Sequence, residues 1–154
     1  MIIKIISIGN KLNSWELDSI NYYLKQIPKN LKIDFINLKS QQNPNYSESE
    51  VISKESKLIM SKISKDDFVV AFDIKGNQMS SKKFSDLIFD CFKTSKVLTF
   101  IIGGSFGLSS EIKDNSNRVL SASLFTFPHR LFRLILIEQI YRAHTIKNNM
   151  PYHK

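Results

Sequence analysis

Strand-length apolar runs alternate with helix-length segments along this entire chain, and that alternation limits its fold more than any other feature. The runs are Ile2–Ile8, Lys32–Leu38 (KIDFINL), Asp67–Phe72 (DFVVAF), Lys96–Ile102 and Val119–Ser123. Ser14 is placed to cap a helix from Trp15 to Gln26, ended by Pro28. A second helix is expected from Glu48 to Ile63. A third opens at Ser80 or Ser81 and runs to Phe92, and a short one covers Ser109–Ser116. Pro128 sits where a last helix, running to Ile146, takes its first residue. SQQNPNYS at Ser40–Ser47 reads as a mobile loop, and the DIKGNQ stretch after Phe72 as a turn-rich one. Such alternation predicts an α/β fold with a largely parallel sheet and helices on both faces. A length of 154 residues suits one domain spanning 1–154.

In such sheets ligands bind beyond the carboxyl ends of the strands. Three loops meet there: Asp73–Asn77, Gly103–Gly107 and Ser121–Phe127. The second is unusual, because the chain has five glycines and FIIGGSFGLSSE holds three of them within five positions. A phosphate loop needs a lysine after its last glycine, and none follows here. The dinucleotide fingerprint follows a first strand, whereas these glycines follow the fourth. Gly103-Gly104-Ser105-Phe106-Gly107 does match the G-x-S-x-G elbow of serine hydrolases, and Ser105, Asp114 and His129 stand in a permissible order. Asp114 falls within a short polar helix, however, and the sheet is short for a hydrolase.

Net charge is +8, which suits an acidic partner such as nucleic acid. Of 22 lysines and arginines only Arg118, Arg130, Arg133 and Arg142 are arginine, and all lie in the last quarter. A flat, forked, permanent cation recognises phosphate or carboxylate better than lysine does. The single cysteine, Cys91, excludes an internal disulfide and fits a reducing, cytoplasmic setting. One cysteine and three scattered histidines give no metal spacing. No run is long enough to span a membrane, and the N-terminus lacks a signal-peptide cleavage site.

LSASLFTFPHRLFR, Leu120–Arg133, joins small residues, aromatics and a helix start. Leu124, Phe125 and Phe127 suit an apolar slot for a flat ring, with backbone groups free to read its edge. They equally suit a core closing the last strand.

IIGGSFGLSSEI, then LSASLFTFPHRLFRLILIEQIYRAHTI, then the terminal PYHK resemble the RlmH family. Those are small bacterial methyltransferases of the SPOUT class that modify a pseudouridine in large-subunit (23S) ribosomal RNA. The resemblance extends to the strand ending Ile8-Gly9 and to DFVVAFDIKGNQMSS. It implies a deep trefoil knot near the C-terminus, which topology rules alone would not predict. It also implies a homodimer whose sites are completed by the partner chain. S-adenosylmethionine would contact Phe72, Gly103 and Ala122, Ser123, Leu124, Phe125, Thr126 and Phe127. Position 105 is a variable place in this resemblance, which counts against a serine nucleophile. The substrate would be a hairpin of the assembled ribosome.

The last helix bears on the dimer independently. Leu131, Phe132, Leu134, Ile135, Leu136, Ile137, Ile140 and Tyr141 leave it almost no polar face, so cover is expected on both sides. For chemistry, N3 of pseudouridine must lose a proton before attacking a methyl group in line. His153 is the candidate base, and Arg142 the candidate cation for the developing anion. His129, Arg130, Arg133, Tyr152 and Lys154 are candidates for binding RNA. A basic RNA-binding protein without catalysis is the alternative reading.

Overall fold

A computed structural model describes residues 1–95 and 97–154. Five strands form one sheet, all parallel: β1 (Ile2–Ile8), β2 (Lys32–Leu38), β3 (Phe68–Asn77), β4 (Val97–Ile102) and β5 (Arg118–Leu120), in the order β2-β1-β4-β3-β5. Lys96, the expected first residue of β4, lies outside the described residues. The helices are α1 (Ser14–Leu24), α2 (Glu48–Met60), α3 (Ser81–Thr94), α4 (Ser110–Asp114) and α5 (His129–Lys147).

Period-two patterning divides the core between two faces. Ile3, Ile5, Val70, Leu98 and Phe100 pack on one face with Ile20 of α1, Ile88 of α3 and Leu136 and Ile140 of α5. Ile6, Ile8, Val69, Ala71 and Ile101 pack on the other with Ile59 of α2 and Ile112 of α4. Cys91 is buried in the first core, and burial pushes its thiol up to about 11, so it is an inert packing residue.

Several boundaries differ from the sequence expectation. Asn13, not Ser14, is the N-cap of α1, and Glu16 closes its capping box by accepting from the Asn13 N–H at 2.7 Å. Pro128 is the N-cap of α5 rather than its first residue. The expected mobile loop is fixed at its start: buried Glu55 of α2 accepts from Ser40 Oγ at 3.2 Å and from the Gln41 N–H at 3.0 Å. A buried carboxylate needs such donors, and the loop supplies them.

α5 lies between α1 and α3. Phe132, Leu136, Ile137, Ile140 and Tyr141 are buried by the chain's own sheet and helices. The apolar circumference therefore needs a second subunit less than the sequence suggests. Leu131 is exposed, and Leu134 and Ile135 are half-buried.

Candidate functional site

The DIKG stretch is not a free turn, because β3 resumes beyond it. Phe72 and Asn77 both pair with Leu120 of β5, so residues 73–76 bulge out of the ladder between them. Gly76 then lies directly on the Leu120 backbone, where a Cβ would collide. The Ser121 N–H donates to the Asn77 carbonyl at 3.0 Å, and Lys113 of α4 pairs with Asp73 at 3.2 Å. These contacts fix where the segment 121–127 begins. Within it, Ser121 Oγ donates to the Ser123 carbonyl at 3.0 Å, and the Phe125 N–H donates to Ser123 Oγ at 2.9 Å.

Two adjoining cavities open under this segment, of about 330 and 130 Å³. Phe72, Ala122, Ser123 and Phe127 line both. Ser81, Met79 and Gln139 extend the larger, and Asp73, Phe125, Thr126 and His129 the smaller. Phe72 stacks on Phe100 with centroids 5.7 Å apart and meets Phe132 edge-on at 4.9 Å, so a rigid aromatic floor is in place. Among the described residues, no lysine or arginine lines either cavity. Aromatic walls with hydroxyls, one carboxamide and free backbone suit a flat heteroaromatic ligand without phosphate. Leu124 points into solvent, 91 % exposed, and lines neither cavity; Phe125 is 81 % exposed at the rim.

Gly103 also lines neither cavity. A Cβ there would lie 2.9 Å from the Gly107 carbonyl carbon and 3.0 Å from the Leu108 side chain. At Gly104 it would lie 2.7 Å from Glu55 Oε2 and 2.9 Å from Ile8 Cγ2. Gly107 sits at φ +78° and closes the turn through its N–H to the Gly104 carbonyl at 3.0 Å. The glycines let the chain fold back on itself and let β1 and α2 come close. Ser105 is exposed on the turn, and Asp114 is exposed at the end of α4. No hydrogen bond joins either to His129 among the described residues, so no hydrolase triad is assembled.

The model of a family described as predicted SPOUT methyltransferase matches residues 1–153. A ribosomal RNA large subunit methyltransferase H 1 of Clostridium perfringens is 42% identical over the full length of both chains. Ribosomal RNA large subunit methyltransferases H of Clostridium botulinum and Streptococcus thermophilus are each 40% identical, again over both full lengths. This chain belongs to the RlmH family of SPOUT methyltransferases.

In this SPOUT methyltransferase the tail is folded back on α5. Asn149, at φ 51°, reverses the chain, and the Met150 N–H donates to the Thr145 carbonyl at 2.9 Å. Tyr152 packs edge-on against Tyr141 at 4.8 Å and under the Arg142 guanidinium, and its hydroxyl donates to Glu138 Oε1 at 3.0 Å. Arg142 Nε donates to the same oxygen at 3.0 Å, and its NH1 lies 3.4 Å from His153 Nδ1. The Glu138 hydrogen bond holds the Arg142 pKa above its ordinary value, so it is a fixed cation. Burial, then the Tyr23 and Glu138 side chains, holds the Tyr152 hydroxyl well above the usual phenol range. Lys154 is exposed.

Arg142, Tyr152 and His153 line neither cavity of their own chain. The nearest link is Gln139, whose Nε2 donates to Glu138 Oε2 at 2.7 Å and whose Oε1 accepts from Ser81 Oγ at 2.7 Å. The sequence assigns no site role to Gln139 or Gly76, and marks Ser81 only as a candidate helix start. Only Gly76 left a signal, a lone glycine just past an apolar run.

The basic candidates separate. Arg130 is on the surface, 3.6 Å from buried Glu16. His129 borders the smaller cavity; burial and then the nearby Arg133 charge lower its pKa, against Glu55, so it is neutral at pH 7. Arg133 departs from the expected surface contact, because it is 1 % exposed. Its guanidinium is turned inward onto the end of β1.

Proposed function

We propose that this chain is an S-adenosylmethionine-dependent methyltransferase that acts on N3 of a pseudouridine in 23S ribosomal RNA of the assembled ribosome, in the cytoplasm. The observation that carries the reading is the pair of cavities under residues 121–127, aromatic and, among the described residues, without lysine or arginine. An adenosine ring would lie over Phe72 and Phe127, with Ala122, Ser123 and Thr126 supplying backbone at its edge and Phe125 at the rim. The methionine end carries a sulfonium, which cavities free of lysine and arginine suit. The relatives' names support ribosomal RNA as substrate, and the net charge of +8 agrees with it.

The chain is proposed to form one SPOUT domain over residues 1–154, knotted where residues 121–127 pass the bulged end of β3, and to work as a homodimer. Two features support the dimer. Leu131, Leu134 and Ile135 of α5, with Trp15 and Tyr22 of α1, keep exposed apolar surface. The tail also does not line its own cavities, so a partner's tail would complete each site.

Bound there, the cofactor would supply an electrophilic methyl group. Arg142, oriented by Glu138, would stabilise the anion that forms as the pseudouridine loses its N3 proton. Arg142 can only donate, so Nδ1 of His153 carries the lone pair of the neutral ring, and Nδ1 would take that proton once its contact with Arg142 opens. Tyr152 would hold the tail against α5, and Lys154 would meet RNA phosphate.

The test has two parts. Calorimetric titration with S-adenosylmethionine should show saturable binding, and tritium from labelled cofactor should pass to ribosomes that lack the modification. Cofactor binding without transfer would refute the substrate. Neither binding nor transfer by a folded dimer would favour a non-catalytic RNA-binding protein.

A further inference from the structure

A second cleft, of about 550 Å³, opens at the carboxyl ends of β1 and β4, where the chain connections leave the sheet in opposite directions. It is separate from the two cavities and touches the smaller only through His129. Asn10, Lys39, Ser40, Ser105 and the first turn of α5 line it.

That first turn is unusual. α5 is 19 residues long, no side chain caps its N-terminus, and its first turn holds no acidic residue. The other helices of eight residues or more have a serine or asparagine at the N-cap, and in α1 and α2 a glutamate as well. An uncapped N-terminus presents free N–H groups and the positive end of the helix dipole. Arg130 sits on that turn and Lys39 faces it across the cleft. Arg133 forms part of the wall, is 1 % exposed, and has no partner for its Nε. Its two other bonds are long, 3.3 Å to the Asn10 carbonyl and 3.5 Å to the Ile8 carbonyl. Of the nearby carboxylates, buried Glu16 lies 3.6 Å from the Arg130 guanidinium, and buried Glu55 lies beneath Gly104.

We propose that this cleft grips a backbone phosphate of the RNA substrate next to the nucleotide that is modified. The site rests on the reading of the chain as an RNA methyltransferase. The free N–H groups of α5, Arg130 and Lys39 bind the phosphate oxygens, and buried Arg133 supplies fixed positive charge from behind. His129 lines both the cleft and the smaller cavity, so it stands between the anion and the apolar site. A base reaching the cavities under residues 121–127 leaves its neighbouring phosphates beside His129, at the mouth of this cleft. That adjacency favours a nucleotide chain over a free phosphate.

The test is the salt dependence of RNA binding. Fluorescence anisotropy of a labelled, mixed-sequence single-stranded RNA compares the full chain with the double variant Lys39→Gln/Arg130→Gln. A control with the same charge loss, Lys29→Gln/Lys65→Gln, alters the opposite ends of the strands. Both pairs are on the surface, and circular dichroism checks folding. For the one phosphate gripped, the log–log salt slope should fall by about 0.7 in the cleft variant. The control should change it little. Equal slopes in the two variants would overturn the site while leaving the methyltransferase reading intact. No RNA binding by the unaltered protein at low salt would overturn both. Inorganic phosphate, titrated calorimetrically at constant ionic strength, separates the two sources. Saturable phosphate binding lost in the cleft variant, with the RNA slope unchanged, would mean that a free anion is the ligand and would overturn the assignment to RNA.

Discussion

The guanidinium of Arg133 lies against the α-carbon of Gly9, so close that any Cβ at position 9 would strike it. Gly9 also holds φ +151°, which side chains rarely adopt. Arg133 is thereby fixed at the end of β1, where burial lowers its pKa from the ordinary guanidinium value, against the nearby charge of Glu16. Gly9→Ala should push the guanidinium away from its carbonyl partners and leave buried charge poorly matched. A loss of about 2 to 4 kcal/mol is expected from urea unfolding. A variant as stable as the parent would show that Arg133 moves freely.

Gly76 and Leu120 pose a harder steric limit, because the obstructing atoms are backbone. No rotamer change relieves a Cβ there. Gly76→Ala should separate β3 from β5 and disorganise residues 121–127, lowering S-adenosylmethionine affinity at least about tenfold, with stability down by roughly 1 to 3 kcal/mol. Calorimetry and thermal unfolding of the same sample check both. Unchanged affinity would mean that the β3 bulge does not shape the cavities.

Glu138 accepts from both Arg142 and Tyr152. Glu138→Gln keeps the shape and removes the charge. Charge-assisted bonds are worth about 1.5 to 3 kcal/mol, so turnover on ribosomes should fall about 10- to 100-fold. Cofactor affinity should stay within about twofold. A variant that lost cofactor binding instead would assign Glu138 to the cavity through Gln139.

His129 and His144 both have pKa values lowered by burial. A base with a depressed folded-state pKa binds its proton more readily when unfolded. Stability is therefore full above the unfolded value, about 6.5, and is lost as pH falls towards the folded values. Denaturant midpoints measured from pH 8 down to 5 should fall, and His129→Gln should flatten part of that fall. A profile that stayed as steep in the variant would place the proton elsewhere.

Ser105 is exposed and bonded to no base, so Ser105→Ala should leave methyl transfer within about threefold of the parent. Gly103→Val should disrupt the turn through Gly107 and Leu108. Loss of all activity in Ser105→Ala would revive a nucleophilic serine.

Much of the fold was legible because its causes are local. Alternating apolar positions in Lys32–Leu38 and the continuous apolar run Phe68–Phe72 give strands whatever surrounds them, and their succession with helices dictates a parallel, two-sided sheet. The motif order from Gly103 to Lys154 was enough to point to the family. Phe72 and the segment 121–127 were placed together by the rule for strand ends. The remainder depends on segments far apart in the chain. Arg133 reads as one more surface cation until its bond to Ile8, 125 residues away, turns it inward. Gly76 reads as a turn until Leu120 lies on it, and PYHK reads as a loose end until Tyr152 meets Tyr141 and Glu138. Periodicity is fixed by the backbone's own repeat. Buried charge, close approach and the return of a tail are fixed by which distant groups fill the space, and only the tertiary structure decides that.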